Sequence, residues 1–148
     1  MPFVIGDPPS ALRVLRLADA RSAGSELQQL GVTTPAPTLA LVGGAASLDE
    51  AAQALLLPLF VDGLVPAVAS LAGIVVDGGT AVGVMRLIAE ARAAAGAQFP
   101  LIGVAAAGRV SLGDGEADRD TVAAEPRHSH LILVPGDRWG DESPWLRW

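Results

Sequence analysis

The sequence predicts an α/β fold: an open, mostly parallel sheet with helices on both faces. Three observations predict it. Apolar runs of four to six residues alternate with longer helical patterns, the rhythm of βαβ units. The apolar runs are continuous rather than alternating, as in strands covered on both faces. Glycines stand where two of those runs end, at Gly43-Gly44 and Gly78-Gly79.

Taken in order, Leu12 to Leu17 reads as a first strand and Gly24 to Leu30 as a short helix, with Leu27 and Leu30 on one side and Gly31 closing it. Thr33 to Pro37 is loop. Thr38 to Val42 reads as a buried strand entering Gly43-Gly44. Ser47 and Glu50 have capping-box spacing ahead of an Ala/Leu-rich helix, which Pro58 and Pro66 should kink or split. Gly73 to Val76 is the next strand and ends at Asp77-Gly78-Gly79-Thr80. From Val82 to Ala95 a helix places Val84, Leu87, Ile88 and Ala91 on one face, with Gly96 ending it. Leu101 to Ala106 and Leu131 to Val134 are further buried strands. Between them, Gly113 to Pro126 is acidic and poor in aliphatic residues, and reads as an exposed loop.

Composition excludes several functions. The chain has 148 residues, enough for one domain with a substantial core, and no cysteine. Thiol catalysis, iron-sulfur clusters and cysteine-ligated zinc are therefore impossible, and a reducing, cytoplasmic setting is the expectation. All 10 basic residues are arginine, so neither a Schiff-base lysine nor a phosphate-gripping lysine exists. A net charge of -6 disfavours nucleic acid as a partner. The N-terminus lacks the pattern of a signal peptide. The apolar stretch Leu55 to Val76 is broken by Pro58, Asp62, Gly63 and Pro66 and reads as core, so no membrane insertion is expected.

The residues able to carry chemistry lie after the strands, where open α/β sheets bind ligands near a reversal of strand order. Glycine lets backbone N–H groups approach a ligand, and a helix N-terminus supplies partial positive charge. The same glycines also suit tight strand-to-helix turns. Thr80 is placed to bond a phosphate, to cap the following helix, or both. Asp77 is placed either to hold a ribose hydroxyl or to serve as a turn residue. Ser47 fits a helix cap better than a nucleophile. His128 and His130 stand one residue apart, so on a strand they share a face. That suits ligand contact or hydrogen bonding to the sheet end, whereas a metal would need further ligands. The tryptophans Trp139 and Trp145 suit base stacking or ordinary packing.

Four segments carry a family resemblance: L-A-L-V-G-G-A at Leu39 to Ala45, I-V-V-D-G-G-T-A-V-G-V-M at Ile74 to Met85, P-L-I-G-V-A at Pro100 to Ala105, and H-S-H-L-I-L-V at His128 to Val134. In order and spacing they resemble the prokaryotic LSDAT family of the SLOG superfamily. That family is similar to the N-terminal cytosolic region of melastatin-type transient receptor potential channels. The resemblance implies a Rossmann-like sheet that binds a nucleotide-derived ligand, with ADP-ribose and related NAD products as leading candidates, and a sensing rather than catalytic role. No cofactor is required by it. The matching ligand positions are Gly43, Gly44 and Ala45 in the first loop, Gly78, Gly79, Thr80, Gly83 and Val84 in the second, and His128 and His130. Asp77, counted with them, departs from the threonine of the channels. The family's domain usually continues into another helix and strand, so residues 1–148 read as a single domain, shortened at its C-terminal end. A second copy covering a bare sheet edge, or a separate effector protein, is the partner this implies.

A second branch of the superfamily hydrolyses the N-glycosidic bond of nucleoside monophosphates, with a glutamate directly after its glycine loop. Here no carboxylate follows Gly79 until Glu90, two helical turns on. Hydrolysis by Asp77 or a loop acid is therefore the alternative expectation.

Overall fold

The computed structural model describes residues 3–5, 11–44, 48–113 and 120–147. Its strands are β1 (Phe3–Ile5), β2 (Leu12–Arg16), β3 (Thr38–Ala40), β4 (Ile74–Asp77), β5 (Leu101–Ala106), β6 (Val110–Ser111), β7 (Val122–Ala123) and β8 (His130–Val134). Six of them form the main sheet in the order β1-β2-β8-β5-β4-β3, and β6 pairs with β7 separately. From β2 to β3 every pairing is parallel, while β1 lies antiparallel on β2. The helices are α1 (Ala23–Gln29), α2 (Glu50–Leu59), α3 (Val65–Ser70) and α4 (Gly83–Ala94). The predicted α/β architecture, Rossmann-like with helices on both faces, is the one observed.

Strand alternation separates two cores. On one face Leu15, Ile74, Ile102, Val104, Ile132 and Val134 pack against Leu27 of α1, against Leu30 that caps it, and against Trp145. On the other face Val75 and Leu101 meet Val65 and Val68 of α3 and Ile88, Ala89 and Ala91 of α4. Beside them Leu12, Val14, Leu131 and Leu133 are covered by Val110, with Leu112 and Ala124 packed alongside. Burying a large aliphatic side chain contributes about 1.5–3 kcal/mol, so α4, with Leu87 and Ile88 fully buried, is firmly held.

The elements reflect local chemistry. Gly31 and Gly96 follow α1 and α4 with φ of 88° and 62°, the left-handed geometry glycine adopts cheaply. Pro58 stays inside α2, and the expected break takes the form of a π-helical turn, Phe60–Leu64, before Pro66 enters α3.

Four expectations change. Strand β3 ends at Ala40 and is an exposed edge rather than buried, because only β4 flanks it. Ser47 lies outside the described residues, and α2 is capped instead by Asp49, whose side chain accepts from Ala52 N–H at 2.8 Å. The stretch read as core is only partly so: α2 has no buried residue, and Leu55 and Leu59 are exposed. By length and composition, Glu50–Ser70 would suffice to cross a membrane, yet it links neighbouring strands of one sheet and packs Val65 and Val68 against it. Finally, residues 120–126 are no free loop. Strand β7 pairs with β6 there, and Glu125 is buried.

Candidate functional site

Gly43-Gly44 and Gly78-Gly79-Thr80 follow β3 and β4, so the two glycine loops are neighbours at the carboxyl edge of the sheet. Strands β3, β4, β5 and β8 succeed one another in space, and the helices change face at β3, from α1 on one side to α3 and α4 on the other. The two loops lie beside each other at the carboxyl ends of β3 and β4. Gly43 closes on the first turn of α4, where a Cβ on it would stand 3.1 Å from Val84. Ala45 lies outside the described residues.

The start of α4 is uncapped by any side chain. Its N-cap is Val82, which has no side-chain acceptor, and Gly83 enters the helix with φ of 54°. The first intrahelical bond comes from Arg86 N–H to Val82, so Gly83, Val84 and Met85 present N–H groups without a protein acceptor among the described residues. Thr80, expected to cap this helix, is buried and does not. Exposed Gly43 and Gly44 and half-buried Val84 border these donors.

The second loop is largely committed to internal bonds. Gly79 N–H donates to Asp77 Oδ1 at 2.7 Å, and Ala81 N–H donates to the carbonyl of Ala123. Glu125 N–H donates to the carbonyl of Gly79, and Thr80 bridges to Ala124. Residues 122–125 thus roof this loop. Beneath it, Gly79 has φ of 67° and its backbone lies against Gly103 of β5. A Cβ on Gly79 would stand 2.6 Å from Leu131 Cδ1 and 2.9 Å from Gly103 Cα. This glycine is needed for packing rather than for approach by a ligand.

Asp77 and His128 come together, although far apart in sequence. Both side chains are fully buried, and His128 Nε2–H donates to Asp77 Oδ1 at 2.8 Å. Asp77 Oδ2 and His128 Nδ1 have no partner among the described residues. Asp77 is thereby a structural turn and pairing residue, with no face open to a ribose.

The two histidines do not share a face, because residue 128 precedes the strand. His128 turns toward Asp77 of β4, whereas the His130 ring stands 3.3 Å from the carbonyl of Leu30, on the α1 side, and 2.9 Å from Ser129 Oγ. Burial, and then Arg13 and Arg92 nearby, push the His130 pKa down, outweighing the Leu30 carbonyl. Trp145 packs on the core and Trp139 is exposed.

Several residues of this region escaped sequence reading. Glu125 is buried and is gripped by Arg127, with Nε to Oε1 at 2.7 Å and Nη2 to Oε2 at 3.0 Å. The Glu125 bond raises the Arg127 pKa, and Arg127 also reaches Glu90 at 3.4 Å. Nothing local in the sequence marks this pair. Gly103 did have a signal, since a glycine inside a strand often marks close backbone approach.

A search of curated proteins finds no match to the chain. The family described as SLOG in TRPM, prokaryote, matches residues 36–148, which hold both glycine loops, the Asp77–His128 pair and every parallel strand except β2. The chain belongs to that prokaryotic SLOG family, and so to a class of nucleotide-related modules.

Proposed function

We propose that this domain binds a nucleotide-derived ligand, ADP-ribose or a related product of NAD breakdown, at the carboxyl ends of β3 and β4, and acts as a sensor. The observation that carries this reading is the uncapped N-terminus of α4 beside Gly43, where the N–H groups of Gly83, Val84 and Met85 have no acceptor among the described residues. Aligned peptide dipoles place about half a positive charge there, which suits a pyrophosphate in a chain without lysine. Gly44, exposed next to it, leaves room for close approach. Family membership supports the nucleotide class.

Sensing is preferred over hydrolysis because the nearest acids are engaged. Asp77 is buried against His128 and Gly79, and Glu125 is buried against Arg127. Both carboxylates are buried away from solvent, so neither is placed to activate water or to stabilise an oxocarbenium-like centre, even though Asp77 Oδ2 makes no bond among the described residues.

The test is a thermal-shift titration with ADP-ribose, NAD, AMP and cyclic ADP-ribose, each mixture then being chromatographed for breakdown. At ligand about 100 times its Kd the native state gains about 2.7 kcal/mol, a shift of several degrees. Val84→Glu places a carboxylate at the helix start, where it suits the dipole but repels a phosphate, so it should abolish the shift in a folded protein. A shift that survives Val84→Glu excludes this site, and breakdown of any nucleotide replaces the sensor with a hydrolase.

A further inference from the structure

At the opposite, amino-terminal edge of the sheet lies a cavity of about 410 Å³, open to solvent and lined by Arg13, Gly31, Arg92, Gln98, Ser129 and His130, among others. That volume falls in the range of small-molecule sites, about 300–1,000 Å³. Its charge is unusual for a chain of net charge -6. Two guanidiniums enter it, and among the described residues neither makes an ion pair. Arg127, also at the wall, is different: Glu125 and Glu90 already neutralise it.

The geometry explains why cations gather here and why they remain unsatisfied. Helices α1 and α4 both end at this edge, and their carbonyl ends carry partial negative charge. Arg13 Nη1 donates to the carbonyl of Leu30, the cap of α1. Arg92 Nε donates to the carbonyl of Phe99 at 2.8 Å, and its Nη1 to that of Arg127 at 3.4 Å. Neutral carbonyls offset no charge. Among the described residues Arg13 Nε and Nη2 and Arg92 Nη2 make no hydrogen bond, and the Arg92 guanidinium lies over the Phe99 ring, 5.6 Å from its centroid. Burial lowers the Arg92 pKa, a desolvation cost that a bound anion would relieve. Ser129 Oγ and the Gln98 amide add neutral polar groups at the same wall, and Ala93, Ala97 and Pro100 supply apolar surface.

We propose that this cavity binds the phosphate group of a small organic phosphate through Arg13 and Arg92, separately from the site at the glycine loops. Two guanidiniums with spare N–H groups match the oxygens of a phosphate, which Arg engages through paired, charge-assisted bonds. The apolar wall takes the organic remainder.

The experiment is an amide NMR titration of the whole chain with inorganic phosphate at constant ionic strength, acetate serving as the carboxylate comparison. Saturable shifts at Gly31, Gln98 and Ser129 are expected, with acetate weaker. Arg13→Gln, at an exposed position, should weaken phosphate about tenfold or more while the rest of the spectrum is retained. Arg92→Gln should do the same, and Arg86→Gln, on an exposed part of α4, should not. If Arg92→Gln does not fold, Arg13→Gln decides alone. The proposal is overturned by the absence of saturable shifts at these amides, by binding that Arg13→Gln leaves unchanged, or by shifts confined to Gly43, Gly44, Gly83 and Val84. The last result would place phosphate at the glycine loops and leave the nucleotide reading standing.

Discussion

Asp77 Oδ1 and His128 Nε2 meet at 2.8 Å in the interior, joining the end of β4 to the segment that leads into β8. The same carboxyl oxygen accepts from Gly79 N–H, so one carboxylate holds both the turn and the crossing segment. Asp77→Ala removes both bonds and leaves buried donors unpaired. It should cost about 3 kcal/mol, read as a fall in the urea midpoint at unchanged m-value. An unchanged midpoint would mean that the pair contributes nothing net.

Gly79 and Gly96 have nearly the same φ but opposite surroundings. A Cβ on Gly96 meets nothing within 4 Å, whereas on Gly79 it overlaps Leu131 and Gly103. Gly96→Ala should therefore cost about 1 kcal/mol, the left-handed penalty alone. Gly79→Ala adds overpacking and should cost about 3 kcal/mol or more. Equal losses in chemical denaturation would refute the close approach of β4 and β5.

Arg127 and Arg86 both bond Glu90, yet only Arg127 neutralises a buried carboxylate. Arg127→Met strands Glu125 and should cost about 2 kcal/mol. Arg86→Met breaks a surface i,i+4 pair and should cost no more than about 0.5 kcal/mol. The comparison is made by thermal denaturation at pH 7, and the reverse ranking would contradict the roof built on Glu125.

Stability should fall as pH drops below the ordinary histidine range. The folded pKa of His130 is lowered, chiefly by burial, with the Arg13 and Arg92 guanidiniums adding to it and the Leu30 carbonyl opposing. The unfolded chain then binds the proton first, so stability rises with pH between the lowered folded value and about 6.5. Below that window the loss levels off. His130→Gln should flatten the Tm profile on the acid side of about pH 6.5, and a slope unchanged by the substitution would assign it elsewhere.

Much of the fold is legible in the sequence because local signals agree with tertiary packing. Leu101 to Ala106 is bounded by a proline and a glycine-bearing turn, and the observed strand has those limits. The helix ends at Gly31 and Gly96 follow from one glycine each. What is not legible depends on distant partners. Whether Thr38 to Val42 is buried depends on being at the sheet edge, which no local pattern records. The roofing of Gly79 by Glu125 and of Ala81 by Ala123 joins residues more than forty positions apart in sequence. His128 and His130 diverge because the strand starts at His130, a shift of two residues that reverses the prediction about the pair. The glycine pattern pointed to the carboxyl edge of β3 and β4, but not to which of its N–H groups are spent.

Strand β2 pairs with β1 and β8 only. During synthesis β3, β4 and β5 meet their neighbours soon after each emerges, since the sheet grows in sequence order through them. Leu12, Val14 and Leu15 have to wait for Leu131 and Leu133, nearly the whole chain later. Closure of the sheet is thus its most non-local and slowest step. Strand β2 lacks its β8 partner until residues 130–133 have been made, so its aggregation risk is greatest in nascent chains that stop before residue 130.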